Sequence, residues 1–201
     1  MIAEDSPSVV TEVSDSIAIV RFNRPAERNP LSLATLQELK STTSALFSRD
    51  NVQAVIFTGT DDIFASGANI RELAQLDSEA ALKFSKFGQE LFQTIADARQ
   101  LTIAAINGYC MGGALDLALA CDLRVASSDA VLAHPGARLG IITGWGGTQR
   151  LPRLIRRAAA LELYLTARHI LADEAFNLGL VTRVSDHPLR TAQLIARECL
   201  Q

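Results

Sequence analysis

Two short apolar runs set the fold class of this chain. Ala54–Thr58 and Leu101–Ile106 each contain one polar side chain, and each is preceded by a segment whose apolar residues repeat at helical spacing. A strand that is apolar on both faces is typical of a parallel sheet covered on both sides. Because such strands alternate with helices, the sequence predicts an α/β fold.

The other predicted elements continue this alternation. Strands are predicted within 9–21, where residues 14–16 form the turn, and at 54–58, 101–106, 122–126, 131–133 and 181–184. Helices are predicted at 33–47, 78–99, 112–120 and 173–178, and from 189 onward. No repeat or linker divides the chain, so we expect one domain over residues 1–201, with residues 1–8 disordered.

Composition excludes several classes of protein. A net charge of −3, with 20% charged residues, gives no electrostatic footprint for nucleic acid or an anionic membrane. The first residues are acidic and do not resemble a secretory signal, and no apolar run is long enough to span a bilayer. The three cysteines lack metal-ligand spacing, which indicates reduced thiols. We therefore expect a cytoplasmic protein without a metal site.

Two loops rich in small residues are the candidate functional segments. Residues 64–70 and 107–116 each follow a strand and lead toward a helix. Small residues let a ligand approach the main chain closely, and amides at a helix N-terminus point outward. Two such amides aimed at one point form an oxyanion hole. Glycines after strands are most often turns, however, and spacing alone does not bring the two loops together.

Four sequence blocks resemble the crotonase (enoyl-CoA hydratase/isomerase) superfamily in order and spacing. They are Asn23-Arg-Pro25 with Asn29-Pro-Leu-Ser32, Ala65-Ser-Gly-Ala-Asn-Ile70, Asn107-Gly-Tyr-Cys-Met-Gly-Gly113 with the residues up to Arg124, and Gly146-Gly-Thr-Gln-Arg-Leu151. The resemblance extends from residue 9 to about residue 185. It implies a spiral of repeated ββα units with two roughly perpendicular sheets, and assembly into trimers or hexamers. Relatives usually continue beyond Gln201, so the C-terminal helical region is expected to be shortened.

The resemblance also implies a substrate and a set of site residues. The substrate is an acyl-CoA thioester, and coenzyme A is part of it, so no separate cofactor is expected. The thioester oxygen would accept hydrogen bonds from the amides of Ala68 and Gly113. The residues expected to bind CoA or the acyl chain are Arg24, Arg28, Ala65, Ala68, Asn69, Ile70, Arg71, Tyr109, Gly112, Gly113, Gly136 and Trp145. For Tyr109 packing is an alternative role, and Trp145 could fill space that a smaller residue leaves in relatives.

The acid/base residues depart from the pattern of the superfamily's hydratases, which use two glutamates. Asp116 stands at the first position and Gly136 at the second, so one carboxylate is shortened and the other is missing. Asp116 is the predicted catalytic carboxylate, although an acidic residue in the first turn of a helix is also favoured by the helix dipole. His134 lies two residues before Gly136, and a histidine can titrate near neutral pH, but a lone histidine beside a proline is more often structural.

The predicted function is an enoyl-CoA hydratase-like lyase of fatty acid metabolism that adds water to a 2-enoyl-CoA. Isomerisation or decarboxylation of a CoA ester is one alternative. A pseudoenzyme that binds acyl-CoA without turnover is the other, since the second carboxylate is missing.

Overall fold

Strands and short helices alternate along the computed structural model, which describes residues 7–200. The strands are β1 Val9–Ser14, β2 Ile17–Phe22, β3 Pro30–Leu31, β4 Ala54–Thr58, β5 Ile63–Ala65, β6 Gly67–Ala68, β7 Leu101–Ile106, β8 Tyr109–Met111, β9 Leu123–Ala126, β10 Val131–Ala133, β11 Ile170–Leu171 and β12 Arg183–Val184. The helices are α1 Leu33–Phe47, α2 Ile70–Leu73, α3 Ser78–Ala96, α4 Gly113–Ala120, α5 Gly147–Ile155, α6 Arg157–Thr166, α7 Ala172–Asn177 and α8 Pro188–Cys199. Two single 3₁₀ turns lie at Pro25–Glu27 and Pro135–Leu139.

Two sheets carry most of the strands. The larger has the order β1-β2-β4-β7-β9-β12 and is parallel except for the β1–β2 hairpin. The smaller has the order β11-β10-β8-β5, with only β10 and β11 antiparallel. β3 and β6 form a separate parallel pair.

A repeated ββα unit generates this arrangement. In the unit β7–β8–α4, the first strand lies in the larger sheet, the second lies in the smaller sheet, and the helix follows directly. The unit β9–β10–α5 repeats the same order. The predicted α/β fold of repeated ββα units is therefore confirmed, and in the unit β7–β8–α4 the helix starts directly after a strand of the smaller sheet.

The larger sheet is buried on both faces, as its apolar strands require. One face packs on the main core, which includes Leu36, Phe57 and Phe92 from three different elements. The other face carries Ile56 and Ile103 and is covered by α8. Since both faces are covered, the strands read as continuous apolar runs.

The predicted boundaries differ from the structure in a few places. The predicted strand at 181–184 pairs only at Arg183–Val184, because the Val181 amide donates to the Ala175 carbonyl at the end of α7. The small-residue loops contain short strands, β5, β6 and β8, that the sequence did not predict. Ser8 was placed in the disordered segment, but it is buried and its amide donates to Glu38. Residues 1–6 lie outside the described residues.

No helix within residues 7–200 is long and apolar enough to cross a membrane.

Arg124 ties β9 to the end of α4 and to the segment after α7 from inside the protein. Its buried guanidinium donates to the carbonyls of Leu180, Ala118 and Cys121 at 2.8, 3.3 and 2.7 Å. Burial lowers the pKa of this side chain. The charge is compensated by these main-chain oxygens, of which the Ala118 carbonyl also accepts from the Cys121 amide.

We expect Arg124→Met to lower the free energy of unfolding by about 3 kcal/mol, because it removes the donor to the buried carbonyls of Leu180 and Cys121. Urea unfolding followed by circular dichroism measures the change. Arg183→Met is the control, since Arg183 is exposed, and it should shift stability by no more than about 0.5 kcal/mol. Equal effects of the two substitutions would contradict the assigned role.

Candidate active site

A cavity of about 660 Å³ lies where the ββα units meet. Its polar side is formed by Ser66, Ala68, Gly112, Gly113 and His134. Its apolar side is formed by side chains of α2, α3, α6 and the segment after β10, namely Ile70, Leu73, Leu76, Ala81, Phe84, Leu139, Ile141, Ile142, Leu161 and Leu165. A mostly apolar cavity with a few convergent polar groups is typical of a small-molecule site.

The two small-residue loops lie against each other at this cavity. A Cβ atom added to Gly67 would lie 2.9 Å from the Gly113 nitrogen and 2.5 Å from the Met111 carbonyl oxygen. Ala68 and Gly113 line the same cavity. Gly113 is the first residue of α4, so its amide has no carbonyl of its own helix to bond. The sequence could not establish this proximity, which depends on the pairing of β5 with β8.

Gly112 makes this approach possible. Its φ of +55° with ψ of −119° is a backbone conformation that side chains disfavour, and its amide donates to the Ala133 carbonyl at 2.8 Å. The turn therefore ties β8 to β10 and starts α4 at the cavity wall.

Asp116 is fully buried one helical turn behind Gly113. Its Oδ2 accepts hydrogen bonds from the Thr143 hydroxyl and, at 3.2 Å, from the Trp145 amide. Both donors belong to residues that line the cavity. Burial raises the pKa of the Asp116 carboxyl to about 6, while the bonds from Thr143 and Trp145 oppose the shift. The carboxyl can therefore exchange a proton near neutral pH.

Trp145 supports both Asp116 and Gly113. Its ring packs directly on two glycines, since an added Cβ would lie 2.2 Å from it at Gly113 and 2.3 Å from it at Gly88. Phe84 and Phe92 contact it edge-on, with centroids 5.3 and 5.6 Å away. Trp145 therefore fills space beneath the glycine turn and also reaches the cavity.

The loop that carries Trp145 must contain small residues because it covers a carboxylate. An added Cβ at Gly147 would lie 2.0 Å from Asp116 Oδ1. The Arg150 guanidinium donates to the Trp145 carbonyl at 3.2 Å and to Gln93 at 3.0 Å, which fixes the far side of the loop. Arg150 is half-buried beside the site.

Comparison with known proteins agrees with this geometry. Residues 12–200 match the family model described as enoyl-CoA hydratase/isomerase. The chain belongs to the enoyl-CoA hydratase/isomerase family. It is similar to a crotonyl-CoA hydratase of Syntrophomonas wolfei, with 40% identity over 88% of this chain and 68% of the relative. It is also similar to a short-chain-enoyl-CoA hydratase of Clostridium acetobutylicum, with 37% identity over 95% of this chain and 74% of the relative.

A solved structure shows the same fold. The crystal structure of an enoyl-CoA hydratase from Bacillus anthracis superposes with a TM-score of 0.91 at 36% identity, over 95% of this chain and 76% of the other. The membership predicted from the four sequence blocks is therefore confirmed.

The residues predicted to bind CoA or the acyl chain fall into two groups. Ala68, Ile70, Gly112, Gly113, Gly136 and Trp145 line the cavity of this family member. Arg24, Arg28, Ala65, Asn69, Arg71 and Tyr109 do not line it. Their assignment as CoA-binding residues stays a prediction.

Contacts explain why most of the second group lies nearby. The Arg28 carbonyl accepts from the amide of Ser66, a cavity residue, at 3.0 Å. Asn69 caps α2 by accepting from the Arg71 amide at 3.0 Å, which sets the direction of Ile70. The Arg24 amide donates to the side-chain oxygen of Asn29, in the same segment as Arg28. Ala65 is fully buried, and Tyr109 is 43% exposed.

The position of the missing second carboxylate cannot hold a side chain in this backbone. An added Cβ at Gly136 would lie 2.6 Å from the Ile141 carbonyl oxygen. His134, two residues earlier, reaches the cavity wall and is 4% exposed. Thr143 and Tyr164 also line the cavity, and sequence reasoning missed both. No motif marks them, and the glycines around Thr143 were the only signal of a buried neighbour.

We expect Gly88→Ala to destabilise the protein by about 1–3 kcal/mol, because the new methyl group overlaps the Trp145 ring. In an ordinary helix interior the same change would stabilise by about 1 kcal/mol. Denaturant unfolding of Gly88→Ala, Trp145→Phe and the double variant measures the coupling. The double variant should lose less than the sum of the single losses, and stabilisation by Gly88→Ala alone would contradict the packing.

Proposed function

We propose that this protein is an enoyl-CoA hydratase, which adds water across the double bond of a 2-enoyl-CoA thioester. The observation that carries the proposal is the convergence of Ala68 and Gly113 on one cavity, with the Asp116 carboxylate directly behind Gly113. The relatives named as crotonyl-CoA and short-chain-enoyl-CoA hydratases support the same reaction. Coenzyme A enters as part of the substrate, and no further cofactor is needed.

The chemistry assigns a role to each element of the site. The thioester oxygen accepts from the Ala68 and Gly113 amides, which stabilise the negative charge that develops there as water attacks Cβ. Asp116, which lies behind the cavity wall, is the carboxylate that takes up the proton released by that water. Arg24 and Arg28 lie in the segment of Asn29, and Arg71 lies beside Asn69. These arginines would meet the phosphates of CoA, for which arginine is well suited.

The cavity favours an apolar acyl chain. Its walls are mainly aliphatic and aromatic side chains, and it is large enough to hold more than a four-carbon acyl group. Large apolar side chains around it remain exposed, among them Ile142 and Leu165 at 68% and 70%. We propose that assembly into trimers or hexamers covers part of this surface, as the resemblance implies.

A cytoplasmic location is also part of the proposal. Cys110, Cys121 and Cys199 are free thiols, which suits a reducing compartment.

We expect the purified protein to hydrate crotonyl-CoA and medium-chain 2-enoyl-CoAs, measured by the loss of absorbance of the conjugated thioester. Asp116→Asn should lower kcat by about 10²–10³-fold, because the amide keeps the shape but cannot take a proton. Asp61→Asn is the control, since Asp61 is exposed and has a φ of +55° that asparagine tolerates.

The same assay tests the alternatives. Unchanged turnover by Asp116→Asn would remove Asp116 from the mechanism. No turnover on any 2-enoyl-CoA, together with calorimetric binding of CoA esters, would favour a pseudoenzyme. Mass spectrometry of the products distinguishes isomerisation and decarboxylation from hydration.

The pH dependence of kcat/KM should report the raised pKa of Asp116 in the free protein. The carboxyl acts as a base only when ionised, so kcat/KM should fall as pH decreases through about 6, where burial places its pKa. An ordinary aspartate would keep kcat/KM constant down to about pH 4. Initial rates with crotonyl-CoA well below KM between pH 4.5 and 8.5 measure the profile. An acid limb near pH 4 would contradict the assignment.

A further inference from the structure

Several buried polar atoms at the cavity lack a hydrogen-bond partner among the described residues. They are Asp116 Oδ1, both ring nitrogens of His134 and the Tyr164 hydroxyl. An unpaired buried polar group costs about 1–3 kcal/mol, so a cluster of them is unexpected in a site that only needs to be stable. Such clusters are typical of sites where the polar groups bind or react with a ligand.

The geometry couples His134 to Asp116. The Nε2 atom of His134 lies 3.5 Å from Asp116 Oδ1. The other oxygen, Oδ2, already accepts from Thr143 and Trp145, so Oδ1 is the oxygen turned toward the imidazole. The His134 ring also lies beside the Tyr164 ring, with centroids 5.1 Å apart. A small approach of His134 would complete a hydrogen bond, as commonly happens when a substrate binds.

His134 reaches the cavity and Asp116 does not. His134 lines the cavity wall, together with Thr143 and Tyr164, whereas the Asp116 carboxylate lies behind them. The imidazole is therefore the titratable group of this pair that can contact a substrate. Gly136 offers no alternative, because the Ile141 carbonyl blocks any side chain there.

We propose that His134 is a second catalytic residue, which acts with Asp116 as one proton-transfer pair facing the reacting carbons. The inference rests on the proposed hydratase function. An O–H bond of water breaks and its proton passes to the pair, while the water oxygen bonds to Cβ. The electrons of the double bond move to the thioester oxygen. When the enolate collapses, Cα takes the proton from the pair, which returns to its starting state.

The charges around the pair suit one added proton. Burial lowers the pKa of His134 to about 4 and raises that of Asp116 to about 6, so at neutral pH the imidazole is uncharged and the carboxylate is ionised. The other titratable groups near Asp116 are Cys110 on β8, Tyr164 on α6 and Arg150 on α5. Burial raises the pKa of both Cys110 and Tyr164, so neither is charged at neutral pH.

The first test compares two substitutions of His134. Both His134→Gln and His134→Phe should lower kcat by about 100-fold with KM within about threefold, because neither side chain can exchange a proton. His134→Phe should also move the acid limb of kcat to higher pH, since it removes the hydrogen bond that His134 would donate to the Asp116 anion once substrate is bound. His187→Gln is the control, because His187 is exposed and distant in sequence. Thermal unfolding and binding of an acyl-CoA product verify that the variants fold.

Glutamine identifies a purely structural role. Its side-chain amide still donates a hydrogen bond, so recovery of activity to within threefold of wild type in His134→Gln would show that His134 only positions Asp116, and would overturn the proposal. An unchanged kcat in His134→Phe would overturn it as well.

A second measurement does not depend on turnover. Nitrogen-15 NMR of the histidine side chains should show the His134 resonances shifting on Asp116→Asn, while those of His187 stay in place. If the His134 resonances do not shift in Asp116→Asn, the pairing of the two residues is overturned. If the wild-type protein hydrates no enoyl-CoA, the proposed function fails, and the NMR result still decides whether the two residues act as a pair.

Discussion

The hydrogen bonds received by the Asp116 carboxylate hold the site together. Oδ2 joins α4 to the loop before α5 through the Thr143 hydroxyl and the Trp145 amide. This one group fixes Trp145, and the Trp145 ring in turn supports the glycine turn from which α4 starts. The polar contact and the close packing are therefore one structure, and neither can change without the other.

A buried carboxylate of this kind lowers the free energy of unfolding at neutral pH. Its ionised form is disfavoured in the dry interior, and only part of the penalty is offset by its hydrogen-bond donors and by the nearby Arg150 charge. Raised above its ordinary value, the pKa makes the folded state bind a proton more tightly than the unfolded chain does between about pH 4 and 6. The folded protein is consequently penalised above that range, where the carboxylate is ionised, as the proposed base requires.

The sequence predicted the fold well because its signals are local. Apolar runs such as Ala54–Thr58 and the periodic segment of α1 identify their elements without tertiary information. Ala68, Gly113 and Asp116 were singled out because contiguous blocks match a family pattern. Thr143 and Tyr164 were not found, since they come to the cavity from separate elements through packing alone. Strands of two or three residues, such as β6, were not predicted, because only pairing with another strand makes so short a segment a strand.

The path of the chain after β10 limits how this protein can change. The Ile141 carbonyl occupies the direction that a side chain at position 136 would take, and the Ile141 amide is itself bonded to the Gly136 carbonyl. A glutamate at position 136 would therefore require the Ile141 carbonyl, and the turn that it closes, to move. A single substitution there would be strained, so acquiring a carboxylate at this position calls for accompanying changes between residues 136 and 141.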